Sequence, residues 1–260
     1  MKTSKLQNFK TKLLSVLILS TLLFACSKLE QTYPSKGSNT IENRTTLDPD
    51  DFTYIGVQHN AALDYLTSQV HVDTASDQTK RFHIYQYFYG QATSDSARTI
   101  LTYYYNNPLN FNEGALYGVN WLTYCGSNYS TRERYYLTKI TNFAVNATNG
   151  TNHSDSLAVL EAQLVTDTTR SLRKVMLLGT TSIARSSYYY WENAYNTSNH
   201  PYYSQVHLGN QNPIGFWISP WIIKDIVAYV NCMGFDPTQK PSYPVWNQVC
   251  GNQATYESAR

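Results

Sequence analysis

Apolar residues recur every three or four positions over much of the chain after residue 47, and this spacing predicts amphipathic helices. The first helix follows Asp48-Pro49, because Asp48 suits the cap and Pro49 the first helical position. Its apolar stripe extends to about residue 70 and consists of Phe52, Ile55, His59, Leu63, Leu66 and Val70. The alternation of apolar and polar residues that is typical of β-strands is scarce. The pattern therefore predicts an all-α fold, with a single domain of about six helices over residues 48–260.

Five further helical segments are predicted downstream, and most have a start or stop signal of their own. Ser130 and Glu133 form a capping box, and Asp167 suits the cap of the longest helix. The predicted segments are 94–105, 130–147, 157–164, 167–195 and 219–234.

Four other stretches give weaker signals. Residues 71–93 fit either a helix or a strand, and residues 111–124 have a helical pattern that glycines interrupt. Residues 196–218 have no period, which predicts a loop longer than an ordinary connection. The tail beyond residue 236 is rich in Pro and Asn, and we expect it to be irregular.

The longest helix carries four consecutive rings, Tyr188-Tyr189-Tyr190-Trp191. Successive residues are about 100° apart, so the four rings cannot all face one core. Either the helix is central, with small residues such as Gly179 and Ala184 admitting close neighbours, or some rings are exposed and bind a ligand. An all-round apolar helix is usually buried, which favours the central helix.

The chain begins with an export signal. Four lysines precede the apolar run Leu13 to Cys26, which is shorter than the ~20 residues that a membrane-spanning helix needs. An uncleaved span, or an ordinary signal cut elsewhere, is the alternative. The polar stretch that follows lacks an apolar period and predicts a flexible tether with an average reach of roughly 25 Å.

The end of the signal, Leu23-Phe24-Ala25-Cys26, resembles the lipobox of bacterial lipoproteins. The resemblance implies that residues 1–25 are removed and that Cys26 becomes lipidated, with acyl chains such as palmitate. Two or more chains suffice for stable membrane anchoring. Residues 26–47 are then the tether of a protein that is attached to a membrane without spanning it.

Two blocks resemble uncharacterised exported lipoproteins of Bacteroidota. The first is Gly56-x-x-His59-Asn60-x-x-Leu63-Asp64-Tyr65-Leu66, and the second is the run Ile183 to Trp191. The resemblance implies a cell-envelope location, in the outer membrane of a Gram-negative bacterium. It carries no known activity.

Charge excludes one class of partner. The four lysines before Cys26 exceed the formal charge of +2, so the chain after the signal has 16 basic and 18 acidic residues. Nucleic-acid binding is therefore not expected.

Three cysteines remain after Cys26, and an odd number cannot all pair. In an oxidising compartment, a disulfide between Cys232 and Cys250 is the favoured bridge, which leaves Cys125 free. Three buried, unpaired thiols are the alternative. No C-x-x-C pair exists to suggest redox or zinc chemistry.

The sequence contains no catalytic, cofactor or metal-binding motif. The most suggestive polar group is His59 with Asn60 and Asp64 on the first helix. A histidine inside an apolar stripe needs partners for its ring nitrogens. We interpret His59 as a core histidine, with a general base or ligand as the alternative.

These observations favour a non-enzymatic, membrane-tethered protein that binds an envelope protein or a glycan through an aromatic-rich surface near residues 196–218. The candidate ligand-binding residues are His59, Asn60, Asp64, Tyr188, Tyr189 and Trp191. An envelope hydrolase with His59 as its general base is the alternative, and a purely structural envelope protein is a third possibility.

Overall fold

Helices make up almost all of the described chain. The computed structural model describes residues 48–108, 129–146, 154–167, 171–208, 219–234 and 243–260, and these contain nine α-helices, one 3₁₀ turn and no strand. The all-α prediction is confirmed, although the helices outnumber the six expected. They are α1 (Thr53–Gln69), α2 (Asp77–Gln91), α3 (Asp95–Asn106), α4 (Thr131–Val145), α5 (Ser154–Thr166), α6 (Ser171–Asn196), α7 (Tyr203–Leu208), α8 (Ser219–Gly234) and α9 (Tyr243–Ala259).

Side-chain caps fix several of the predicted starts. The Asp48 carboxylate accepts a hydrogen bond from the Asp50 amide before the 3₁₀ turn, and the Ser94 hydroxyl accepts one from the Ala97 amide at the start of α3. The capping box of α4 is complete, because Ser130 and Glu133 each accept a hydrogen bond from the other's backbone amide. Each bond satisfies a helix-end donor that would otherwise lack a partner.

The longest helix begins at Ser171 and not at Asp167, whose carboxylate accepts hydrogen bonds from Arg132 and Tyr136. Three other helices lie where the sequence predicted no definite helix. The ambiguous stretch 71–93 contains α2, which begins after the capping residue Ser76. The predicted loop 196–218 contains the short helix α7, whose His207 ring stacks on Tyr195 at a centroid distance of 4.5 Å. The tail predicted to be irregular contains α9. Its buried residues include polar and small ones, Asn247, Gly251 and Thr255, which hide the helical period from a hydrophobic pattern.

Several predictions concern residues outside the described ranges. They are the signal segment, the lipidation site Cys26, the tether, the segment 111–124 and the free thiol of Cys125. Among the described helices, none combines the length and apolar composition needed to cross a bilayer.

Helix α6 is the centre of the fold, as predicted. Residues 175–184 are buried without interruption, so this part of the helix faces neighbours on all sides. Those neighbours are α1, α4, α5, α7 and α8. Helix α9 packs on α8 and also contacts α1, α2 and α3.

The predicted disulfide joins α8 to α9. The Sγ atoms of Cys232 and Cys250 are 2.08 Å apart, and both residues are fully buried. This confirms the favoured pairing of the two cysteines.

Two glycines let helices approach the central helix closely. A Cβ atom added to Gly56 on α1 would overlap the carbonyl oxygen of Ser182 and the side chain of Ser186. A Cβ added to Gly179 on α6 would overlap the hydroxyl of Tyr229 on α8. Because these two glycines have no side chain, α1 and α8 can both lie close to α6.

We expect Gly56→Ala to lower the free energy of unfolding by about 1–3 kcal/mol, because the backbone carbonyl of Ser182 cannot move aside without shifting α6. Gly90→Ala on α2 is the matched control. No atom lies within 4 Å of a Cβ added there, so we expect a gain of up to about 1 kcal/mol. Urea denaturation of both variants measures the difference, and equal stabilities would contradict the close packing of α1 on α6.

Candidate functional site

A cluster of buried polar side chains lies where α1, α6 and α8 meet. His59 on α1, Ser187 and Trp191 on α6, and Asp225 on α8 are each completely buried. Asp225 is the centre of the cluster, since its Oδ2 accepts hydrogen bonds from Ser187 Oγ at 2.5 Å and from Trp191 Nε1 at 3.2 Å. Its Oδ1 lies 3.4 Å from His59 Nε2. We call these four residues the polar centre.

The other ring nitrogen of His59 is held by the neighbouring residue. Asn60 Nδ2 donates to the carbonyl oxygen of Ser186 at 2.9 Å, which directs its Oδ1 toward His59 Nδ1 at 3.0 Å. Because an amide oxygen only accepts, Nδ1 carries a proton and donates. Nε2 then faces a carboxylate, and this arrangement favours the doubly protonated, cationic ring.

The charge of Asp225 decides the protonation of His59. Burial alone lowers the pKa of a histidine, but the nearby carboxylate of Asp225 and the hydrogen bond with Asn60 outweigh it and raise the pKa of His59 above its ordinary value. The Nε2–Oδ1 contact misses hydrogen-bond geometry, so we describe it as an ion pair. A buried carboxylate with an adjacent cation and two hydrogen-bond donors is well compensated.

The raised pKa predicts that stability decreases as the pH rises. Between about pH 6.5 and the folded-state pKa of His59, the folded chain holds a proton that the unfolded chain has lost, so the free energy of unfolding falls with increasing pH. His59→Asn should remove this decrease in denaturation series from pH 6.5 to 8.5. His200 is the control, because burial lowers its pKa and its effect lies below about pH 6.5. A similar decrease in the His59→Asn and His200→Asn variants would contradict the ion pair.

The polar centre is not arranged for hydrolysis. Ser187 donates to Asp225 and not to His59, so the serine–histidine hydrogen bond of a hydrolase triad is missing. A general base must also come within hydrogen-bond reach of the proton that it removes, and His59 is sealed inside the protein. The geometry supports the interpretation of His59 as a core histidine. Within the described residues, no three side chains of the His, Cys, Asp and Glu types are grouped as metal ligands would be.

The six candidate ligand-binding residues do not share one surface. His59, Tyr188 and Trp191 are buried, Asn60 is half-buried, and Asp64 and Tyr189 are exposed. The 100° step between helical residues explains the separation of the three rings, because Tyr189 points away from the neighbours of α6. Asp64 also forms no hydrogen bond or ion pair with His59.

Sequence reasoning missed Asp225 and Ser187. Asp225 interrupts the apolar run of α8, and this was the available signal in the sequence. An acid on the buried face of a helix needs a partner, so its position indicated a buried polar contact. Ser187 gave no signal, because it lies 38 residues before Asp225 and a serine in a small-residue run is ordinary.

A second group of residues lies at the surface. Phe82 and Tyr89 on α2 and Tyr103 on α3 are 43%, 37% and 57% exposed. Each is joined by ring contacts to a half-buried tyrosine of α3. Phe82 lies 6.4 Å from Tyr105, Tyr103 lies 5.1 Å from Tyr104, and Tyr89 reaches Tyr105 through Tyr85. We call Phe82, Tyr85, Tyr89 and Tyr103–Tyr105 the aromatic face.

A small, shallow depression with room for about one water molecule, partly open to solvent, adjoins the aromatic face. Its lining consists of Arg81 from α2, Leu101, Tyr104 and Tyr105 from α3, and Val249, Asn252 and Gln253 from α9. The guanidinium carbon of Arg81 lies 5.3 Å from the ring centroid of Tyr105. The lining therefore combines aromatic and aliphatic side chains with two amides and a cation. By contrast, within the described part of the predicted loop, Tyr202 is buried and Tyr203 is half-buried.

Comparison with known proteins supplies no relative. No family model matches the chain, and no curated protein or solved structure is significantly similar to it. The functional argument therefore depends on the residues themselves.

Proposed function

We propose that the chain is a lipid-anchored protein of the cell envelope, attached through Cys26 to the outer membrane of a Gram-negative bacterium, and that its helical domain binds a partner without catalysis. The observation that carries the binding role is the aromatic face beside the depression. Tyrosine rings combine an apolar body with a polar tip and are enriched at binding surfaces.

The polar centre supports binding in preference to catalysis. Its two titratable groups, His59 and Asp225, are completely buried and paired with each other. The aromatic face is accessible, and half of the large apolar side chains that are exposed in the described residues belong to it. A tethered domain also gains from a high local concentration at the envelope, so that even weak contacts become occupied.

The anchor is tested by replacing Cys26 with alanine. We expect the parent chain to incorporate a labelled fatty acid and to sediment with membranes, and the variant to do neither. A variant that takes up as much label and stays membrane-bound would refute lipidation at this residue.

The binding role is tested by removing rings from the aromatic face. The full chain, purified in detergent, is incubated with isolated delipidated envelope material, and the retained fraction is measured. We expect Phe82→Ala with Tyr103→Ala to reduce retention several-fold. Tyr135→Ala with Tyr189→Ala is the matched control, since both rings are exposed on other helices, α4 and α6. Equal retention of the two double variants would contradict the proposal.

A further inference from the structure

Charged side chains at the surface are segregated along the chain. Among the residues whose exposure the structure describes, every exposed carboxylate lies between residues 48 and 95. Three of the four exposed arginine and lysine side chains, by contrast, lie on α4. After the signal, acidic residues slightly outnumber basic ones in the whole chain, so the cationic character of α4 is a local feature.

Helix α4 presents its cations on one continuous outer face. Its buried residues, which include Leu137, Ile140 and Ala144, recur at helical spacing, and the helix packs on α5, α6 and α8. At about 100° per residue, the exposed positions fill the remaining arc of roughly 160°. Four side chains in this arc, which we call the basic face, are Arg132, Arg134, Tyr135 and Lys139.

Tyr135 lies between two cations of the basic face. Its ring is 46% exposed, and its centroid lies 5.9 Å from the guanidinium carbon of Arg132 and 5.6 Å from Nζ of Lys139. Tyrosine is enriched where a protein meets the headgroups of a bilayer, because the ring has an apolar body and a polar tip. Long basic side chains beside it can place their charges at the same level.

The charge of the basic face is only partly balanced within the protein. Asp167 pairs with Arg132 at 2.7 Å. Glu133, the acid of α4 itself, is buried and lies 3.6 Å from Arg173 on α6. For Arg134 and Lys139, the described residues supply no carboxylate within 4 Å. Two positive charges therefore face solvent without an adjacent anion.

We infer that the basic face docks the anchored domain on an anionic phospholipid surface, with its cations at the phosphates and Tyr135 among the headgroups. Each Lys or Arg near such a surface strengthens the attraction roughly fivefold. Three cations alone bind weakly, but the proposed anchor and a tether with an average reach of roughly 25 Å keep the domain close to the surface. This inference rests on the proposed anchor and goes beyond it, since it states which side of the domain meets the bilayer.

The rest of the surface supports this orientation. The aromatic face belongs to α2 and α3, which pack on α1 and α9 and carry the exposed acids Asp77 and Asp95. An anionic bilayer attracts the cations of α4 and repels these carboxylates, so docking through α4 leaves the aromatic face accessible to its envelope partner. A soluble acidic polymer would share the charge complementarity, but the tether does not hold such a polymer within reach.

The test uses the full lipidated chain, transferred from detergent into vesicles of phosphatidylcholine, either alone or with about a third phosphatidylglycerol. Flotation of the vesicles measures anchoring, and radical footprinting measures the reactivity of single rings. We expect anchoring in both kinds of vesicle. In the anionic vesicles, the reactivity of Tyr135 should decrease at least about threefold, while Phe82 and Tyr103 keep theirs. Salt at about 0.5 M should restore the reactivity of Tyr135, because added ions screen exposed charges.

Two double variants separate the basic face from charge in general. Arg134→Gln with Lys139→Gln should abolish the protection of Tyr135, since the loss of two cations weakens docking roughly 30-fold. Both side chains are exposed, so we expect this variant to unfold at the same urea concentration as the parent. Arg98→Gln with Arg260→Gln is the matched control. It removes the same charge from two cations outside α4 that already pair with acids, and Tyr135 should stay protected.

Four results would overturn the inference. Equal reactivity of Tyr135 in neutral and anionic vesicles, with the chain anchored in both, would refute docking and leave the anchor intact. Failure to float with either kind of vesicle would refute the anchor and docking together. Protection of Tyr135 that persists in the Arg134→Gln, Lys139→Gln variant would show that these cations do not dock the domain. Equal protection by soluble polyglutamate in neutral vesicles would reassign the basic face to acidic polymers.

Discussion

Replacing Asp225 with alanine is expected to lower the free energy of unfolding by about 3–5 kcal/mol, because removal of one partner from a buried ion pair leaves the other charge uncompensated. The change also removes the acceptor of Ser187 and Trp191, so that two buried donors lose their hydrogen bonds. Chemical denaturation of the purified chain measures the loss.

Two control variants separate the causes of that loss. Asp225→Asn keeps an oxygen acceptor and a similar shape, so we expect a smaller decrease that reflects the lost charge. Asp95→Ala removes the acid of an exposed pair with Arg98, and such pairs contribute about 1 kcal/mol or less. A loss in Asp225→Ala no larger than that in Asp95→Ala would show that Asp225 is not the centre of a buried network.

Replacing Trp191 with alanine is expected to cost about 3–5 kcal/mol of stability, as truncation of a fully buried large ring does. The indole packs against Tyr202 and Trp221 at centroid distances of 5.2 and 5.8 Å, so its removal leaves a cavity between α6, α7 and α8. It also removes the Nε1 donor to Asp225. Thermal and urea denaturation measure the effect.

Tyr189→Ala is the matched control for Trp191, two residues away on the same helix. Tyr189 is 49% exposed, so we expect its loss to cost about 1 kcal/mol or less. Similar losses in the two variants would mean that α6 is not buried as described, and the assignment of Trp191 to the core would be wrong.

The helices that could be predicted from the sequence are those whose signals lie within the helix itself. Caps and apolar stripes are local, so the starts of α3 and α4 and the Gly234 end of α8 follow from the sequence. Helices α7 and α9 were missed, because stability there comes from tertiary contacts. The six residues of α7 are too few for an isolated helix, and α9 buries small and polar residues that give no clear period.

The candidate site was predictable only in part. His59 required a partner, and Asn60 was identified because it is adjacent on α1. Asp225 lies on another helix, 166 residues later, and no pattern within one helix indicates that α1 and α8 meet. The aromatic face is a similar case. Its rings belong to α2 and α3, and their contacts with α9 depend on how the helices pack.

Radical footprinting of aromatic side chains, with and without isolated delipidated envelope material, tests most directly the claim that this protein acts at its surface. We predict that Phe82, Tyr89 and Tyr103 lose reactivity when the envelope material is bound, while Tyr135 and Tyr189 keep theirs. Unchanged reactivity at the first three rings, with protection at Tyr135 and Tyr189, would contradict the account and move the binding surface to α4 and α6.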